Sequence, residues 1–245
     1  MKVVDAVWEK RNLGVTCCEI TVDDDDKRED VQRIMYISKK YQYVVFKVAS
    51  TRPDIVRLLQ DEGYRYIECL LTTSLQLKDF KVPVKYKTVV DKCSLKRMDD
   101  EDIKFLCDEL DKGLFHTDRV YIDPHFSHDL AANRYKNWML DLVHNGIDIY
   151  KVVYEGDDVG FVLNKEIKPN VYDGILIGVY SKYANSGMGY CVECASASFY
   201  KSLRAKKILG RVSTNNPEAV KVVSSFGSII KRIDYIFVMH NDVEE

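Results

Sequence analysis

Along this chain the apolar positions switch repeatedly between a period of two and a period near 3.6, the signature of strands and helices laid down in turn. Trp8 to Ile20 alternates apolar and polar residues, and the acidic run Asp23 to Asp26 follows as a solvated turn. Asp30 to Tyr41 has helical period, and Tyr43 to Val48 reads as a buried strand. Pro53 opens a helix with Ile55, Val56, Leu58 and Leu59 on one side; Gly63 stops it before the strand Tyr66 to Leu77. Ser94 to Met98 reads as a strand, with Asp99 or Asp100 capping a helix that runs to Leu110. A polar and aromatic passage, Gly113 to Asp129, precedes a helix from Ala131 to Val143. Ile149 to Tyr154 and Val159 to Leu163 form a hairpin across Glu155-Gly156-Asp157-Asp158. A β-branched run, Ile175 to Val179, then stops at Ser181; a loop closed by Gly187-Met188-Gly189 leads into helical period from Cys191 to Leu203. Leu209 to Ser213, a helix opened by Pro217 and stopped by Gly227, and the strand Ile233 to Met239 complete an α/β layer.

The last of these units echoes an earlier one. Thr51-Arg52-Pro53-Asp54-Ile55-Val56 corresponds to Asn215-Asn216-Pro217-Glu218-Ala219-Val220, and Gly63 to Gly227 at the same spacing. The polar stretch Asp79 to Thr88 reads as a joint, so two domains are expected, residues 1–85 and 90–245. No Gly-x-Gly loop precedes the first copy, and the amino-terminal half is expected to lack a cofactor site.

Composition narrows the function classes. A net charge of −2 leaves no electrostatic footprint for nucleic acid or an anionic membrane. No apolar run reaches spanning length, and MKVVDAVWEKR holds no signal-peptide core, so a cytoplasmic chain is expected. The seven cysteines sit mostly in apolar periodic stretches, and Cys191-x-x-Cys194 falls within a helix with no second pair, so buried reduced thiols are expected and no metal site. His116, His125 and His128 have mixed loop spacing that matches no ligand set.

Chemistry concentrates at the strand-to-helix turn. Glycines there leave backbone N–H groups unblocked beside the positive end of a helix dipole, which suits a phosphate group. Such a turn could serve a nucleoside triphosphate, a dinucleotide or coenzyme A. A P-loop would need Lys and Ser or Thr where Tyr190-Cys191 stands, and a dinucleotide fingerprint lacks its third glycine and its acidic residue.

Val179 to Gly189 (VYSKYANSGMG) resembles the pyrophosphate loop of the GNAT N-acetyltransferases, with Tyr183 and both terminal glycines in register. Ala184 replaces the usual Arg or Gln and Asn185 a Gly. Leu209 to Asn216 with Ala219 resembles the second signature of that family, and the likeness spans residues 94–240. The resemblance implies an α/β (α+β) fold, a mixed sheet flanked by helices, with the amino-terminal domain as a reduced half of the same kind. It implies acetyl-CoA as co-substrate, held by the backbone of Ile177, Gly178 and Val179, by the loop Ala184, Asn185, Ser186, Gly187, Met188, Gly189 and Tyr190, and by Asn216. Asn216 could equally be the N-cap before Pro217.

The tyrosine that often protonates the departing thiolate is Val223 here; Ser224 or Tyr183 could serve, and Glu166 is the candidate base. The passage from His116 to Phe126 with Tyr135 and Trp138 resembles the sugar-nucleotide N-acetyltransferases of the dTDP-fucosamine type. That likeness implies Arg119, Tyr121 and Tyr135 as substrate-binding residues, guanidinium for phosphate and rings for base or sugar. The partner expected is a small-molecule amine, with a homodimer possible. Alternatives are a GNAT-like acyl-CoA-binding module without catalysis, or an acetyltransferase for an amino acid or protein amine.

Overall fold

Proline fixes where two of the helices begin, and it does so at matching places. The computed structural model describes residues 1–243; the last two residues of the expected 90–245 domain lie outside the described residues. The chain runs β1 (Lys2–Asp5), α1 (Trp8–Leu13), β2 (Cys17–Val22), α2 (Arg28–Ser38), β3 (Tyr43–Ala49), α3 (Pro53–Asp61) and β4 (Arg65–Gln76). It continues through α4 (Val84–Val90), β5 (Cys93–Arg97), α5 (Asp100–Asp111), α6 (Arg119–Ile122), α7 (His128–His144), β6 (Tyr150–Tyr154) and β7 (Asp157–Lys168). Then come β8 (Val171–Val179), α8 (Met188–Ser202), β9 (Lys207–Ser213), α9 (Pro217–Ser225) and β10 (Ile229–His240).

Two local expectations are corrected. Trp8 to Ile20 is no single alternation: Trp8–Leu13 coils into α1, burying Glu9 and Leu13, and β2 begins at Cys17. The joint at Asp79 to Thr88 is half helix; α4 starts at Val84, and its Tyr86 stacks on Tyr190 of α8 with ring centroids 4.9 Å apart.

All ten strands form one mixed sheet in the order β1-β2-β3-β10-β4-β9-β8-β7-β6-β5. The final strand lies between β3 and β4, while β4 pairs with β9. Read from its centre, the order is pseudo-symmetric. β2–β3 and β8–β9 are both parallel pairs, α2 and α8 connect them, and α3 and α9 each begin with proline. The sequence echo is thus a structural repeat whose last strands are exchanged across the sheet centre.

Period-two alternation splits the core between the faces. On β7, Val162 packs with Val192 and Ala195 of α8, whereas Phe161 and Leu163 pack with Leu106 of α5 and Met139 of α7. On β3, Phe46 faces Ile55 and Leu59 of α3, whereas Tyr43 and Val45 face Leu13, Val120 and Ala131. Among the described residues no helix is long and apolar enough to cross a membrane.

Candidate functional site

The sheet opens at one place, and the cause is local. Leu163 of β7 faces Leu176 of β8, but Asn164 faces Gly174, so Ile175 is an extra residue in β8. A bulge of this kind bends its strand away from a neighbour. Parallel pairing with β9 covers Val171↔Lys207, Tyr172↔Ile208 and Asp173↔Leu209, and then stops. Tyr180 donates its N–H to the carbonyl of Val159 at 3.0 Å. Antiparallel pairs alternate, so Gly178 and Leu176 also turn toward β7, while the main-chain groups of Ile177 and Val179 point into the gap. In the amino-terminal half, β2 and β3 stay paired over six positions, Cys17↔Tyr43 to Val22↔Val48.

The loop at the open end of the gap is held by its own bonds. Ser186 Oγ donates to the Tyr183 carbonyl at 2.6 Å and accepts the Met188 N–H at 3.2 Å. Asn185 (φ 60°) and Gly187 (φ 82°) are both left-handed, and Gly187 is the N-cap of α8 with no side-chain cap. A Cβ at Gly187 would find no heavy atom within 4 Å, so that side of the chain is open. Ala184, Asn185, Ser186 and Gly187 are exposed; Met188, Gly189 and Tyr190 are half-buried. The Met188 N–H is taken by Ser186 and the Tyr190 N–H by the Gly187 carbonyl, which leaves the amides of Gly187 and Gly189 without a partner among the described residues, beside the gap and fit for a diphosphate. The equivalent turn before α2 has no glycine and is closed on itself, Asp26 Oδ2 accepting the Asp23 N–H at 2.7 Å.

Three expected acid–base residues lie elsewhere. Glu166 is exposed at the β7–β8 turn, where Oε1 accepts the Asn170 N–H at 2.7 Å. Tyr183 donates its hydroxyl to Asp157 at 2.5 Å on the outer surface, and Ser224 is exposed on α9. None of the three lines the cavity; Val223 does. Asn216 lines it too, but its Oδ1 caps α9 by accepting the Ala219 N–H at 2.9 Å.

The gap leads into a cavity of about 730 Å³ between the two halves, walled by β4, α6, α7, β8, α8 and β9. Its charged wall corrects the role expected of Arg119. That guanidinium is buried against Glu19, with Glu9 at 3.7 Å, and Glu19 is bonded to Lys47 at 2.7 Å. Arg134 grips Glu9 through two nitrogens at 2.7 and 2.8 Å. Burial opposes charge on Arg119, yet Glu19, Tyr43 and Glu9 hold it well above its ordinary value. Arg119 is a structural cation paired with Glu19 and Glu9, with only its buried Nε left without a partner. Tyr121 stacks on His128 at 4.0 Å outside the cavity. Tyr135 does line the cavity, between Phe115 and Trp138.

Two cavity carboxyls escaped the sequence reading. Glu68 on β4 is 5% exposed, and its Oε2 has no partner. Desolvation raises its carboxyl first, with Ser213 and Arg119 pulling the other way. Glu193 on α8 is raised to about 7 by desolvation alone. It interrupts the apolar run Cys191, Val192, Cys194, Ala195, which was the available signal. Glu193 holds its proton more tightly folded than unfolded, so its ionisation costs stability as pH rises from the ordinary 4.5 through about 7. Because part of the side chain stays open to the cavity, Glu193→Gln should add only about 1–2 kcal/mol at about pH 8 and nothing near pH 4, which thermal melts at the two pH values would check.

Asp123, His125 and His240 gather with ligand atoms within 4.8 Å. The imidazoles lie face to face, 3.7 Å apart and 7° from parallel, so their lone pairs do not converge on one ion. His240 Nε2 bonds Asp123 Oδ2 at 2.8 Å instead, tying the loop after α6 to β10.

No family profile matches the sequence, and no curated protein does either. Solved structures do match. A GCN5-related N-acetyltransferase from Sphaerobacter thermophilus superposes with TM-score 0.58 at 14% identity, covering 86% of this chain and 64% of that one. A tandem GNAT protein of the clavulanic acid biosynthesis pathway gives 0.60 at 11% identity over 94% of this chain and 76% of that one. A GCN5-related glucosamine N-acetyltransferase region of a fungal multi-domain GH3 β-N-acetylglucosaminidase gives 0.55 at 12% identity, covering 80% of this chain and 25% of that one. The chain has the GNAT fold: a mixed sheet flanked by helices.

Proposed function

We propose that this protein transfers an acetyl group from acetyl-CoA to the primary amine of a small molecule. One observation carries the reading: β8 leaves β9 after Asp173↔Leu209, and the bare, glycine-capped end of α8 stands at the mouth of that opening. The main-chain groups of Ile177 and Val179 would pair with the amide groups of the pantetheine arm, and the free amides of Gly187 and Gly189 would hold the diphosphate. The thioester would then project toward the bulge at Ile175 and the cavity between the halves. GNAT-fold neighbours named as acetyltransferases support this chemistry. A nucleotide-sugar acceptor has no support from Arg119, whose guanidinium is paired with Glu19 and Glu9.

Val223 at the cavity wall favours one competing reading, a binding module that holds acetyl-CoA without turning it over. Calorimetric titration with acetyl-CoA, followed by a thiol-release assay with a panel of primary amines, separates the two. Saturable binding with amine-dependent thiol release is expected. Binding without release would leave only the module, and no binding would end both readings.

A further inference from the structure

We propose that Glu68, contributed by the amino-terminal half, is the proton acceptor for the attacking amine and confines the acceptor to amines with no phosphate or carboxylate beside them. The proposal rests on the acyl-transfer reading above. Its ground is an inventory of charge in the cavity. Each of the four lining cations has a carboxylate: Lys47 and Arg119 share Glu19, Arg134 holds Glu9 and lies 3.9 Å from Asp118, and Arg211 meets Asp173 at 3.0 Å, although the buried Nε of Arg119 has no hydrogen bond. Glu68 has no ion pair among the described residues, and its buried Oε2 has no hydrogen bond. A buried polar atom without a partner is costly unless a ligand supplies one.

Its position suits that ligand. Glu68 lies on the same face of β4 as Leu70, whose cross-strand partner is Ser213, the last residue of β9. Thr214 donates its N–H to the Cys69 carbonyl at 2.8 Å, which pins β4 against the end of the parted strand. Glu68 and residues 174–177 of β8 line one continuous cavity. The charged and titratable groups facing Glu68 are Asp118 and Arg119 around the start of α6 and Tyr135 on α7, with Tyr66 and Cys69 on its own strand. Opposite it on β10 is the apolar Ile236. Desolvation and Asp118 both favour the protonated carboxyl, so a cation or an N–H donor beside it is welcome and an anion is not.

The step balances. A neutral amine attacks the thioester carbonyl carbon and an N–C bond forms, while the amine proton passes to Glu68 Oε2. The C–S bond then breaks, its electron pair leaves on sulfur, and the coenzyme thiolate regains that proton from Glu68. The products are an amide and free coenzyme A, with the carboxylate restored.

The test uses full-length protein, wild type, E68Q and E68D, with calorimetry for acetyl-CoA and thiol release from acetyl-CoA with spermidine, glucosamine or glucosamine 6-phosphate across pH. E68Q should bind acetyl-CoA as wild type does, lose about a hundredfold in kcat/KM, and lose the acidic limb of the pH profile. E68D should recover part of the rate. The melting temperature of E68Q should not fall, since a neutral amide replaces an unpaired buried carboxylate; a structural role would lower it. Glucosamine 6-phosphate should be at least about tenfold poorer than glucosamine. Full E68Q turnover with acetyl-CoA bound would overturn the role of Glu68 while leaving acyl transfer intact. Acetyl-CoA binding with neither spermidine nor glucosamine acetylated, or a preference for the phosphorylated sugar, would overturn the acceptor class. No acetyl-CoA binding by wild type would overturn the acyl-transfer reading and this one together.

Discussion

Arg119→Ala should destabilise the protein by about 3–5 kcal/mol, a large part of the stability of an ordinary domain, because it breaks a buried ion-pair network and leaves Glu19 with Lys47 alone and Glu9 with Arg134 alone. Glu19 on β2 and Glu9 on α1 both meet that guanidinium, and Glu9 is fully buried. Burial alone would raise the Glu19 carboxyl; Arg119 and Lys47 outweigh it and bring it down to about 2. A carboxyl depressed in the folded state contributes stability above its ordinary 4.5 and loses it as pH falls through about 2. Urea denaturation of wild type, R119A and the double variant R119A/E19Q at neutral pH checks it. The double variant should recover part of the loss, and the wild type should lose stability between about pH 4.5 and 2. A phosphate-clamping arginine would behave otherwise, sparing stability and weakening only a nucleotide ligand.

The second large effect belongs to the loop. Gly187→Val should cut acetyl-CoA affinity more than about a hundredfold, a loss of about 2.7 kcal/mol or more in binding. Gly187 holds φ 82°, where a β-branched residue is a genuine outlier, and the loop must shift to relieve the strain. Its open side is also where a phosphate would approach the first-turn amides, so a side chain there obstructs what the shifted loop does not already misplace. The cost to folding should stay at about 1–2 kcal/mol, because the site is at the surface and a Cβ meets nothing within 4 Å. Calorimetry for affinity and thermal melts for stability separate the two effects. Equal affinity in wild type and variant would place the diphosphate elsewhere.

What could be read from the sequence was what short-range chemistry decides. Pro53 and Pro217 begin helices, Asp99 caps α5 in a capping box, and Gly187 sits where its left-handed turn is needed. Periodicity located β3, β6 and α7 to within a few residues, and found β7 without its last five. The six-residue α1 was missed because Val7 offers no cap to announce it. The exchange of β4 and β10 was not legible, since a strand's sequence marks its faces and not its neighbours. The parting of β8 from β9 is not legible in alternation, because its cause is a bulge at Ile175 that alternation does not reveal.

The site failed where partners are distant in sequence. Arg119 among aromatics looked like an anion clamp because Glu9 and Glu19 stand about a hundred residues away. Glu166 stands at a strand exit, where it caps a turn, whereas Glu68 lies inside a largely apolar strand. A carboxylate in such a run is the stronger clue, because burying one without a partner is costly.

Amide hydrogen exchange on the full chain, with and without saturating acetyl-CoA, tests the central claim most directly. The account predicts that acetyl-CoA slows exchange in residues 175–190, along the free edge of β8 and the first turn of α8. It predicts no change in residues 22–31, where the equivalent turn has no glycine and β2 stays paired with β3. Protection absent from 175–190, or appearing instead at 22–31, would contradict it.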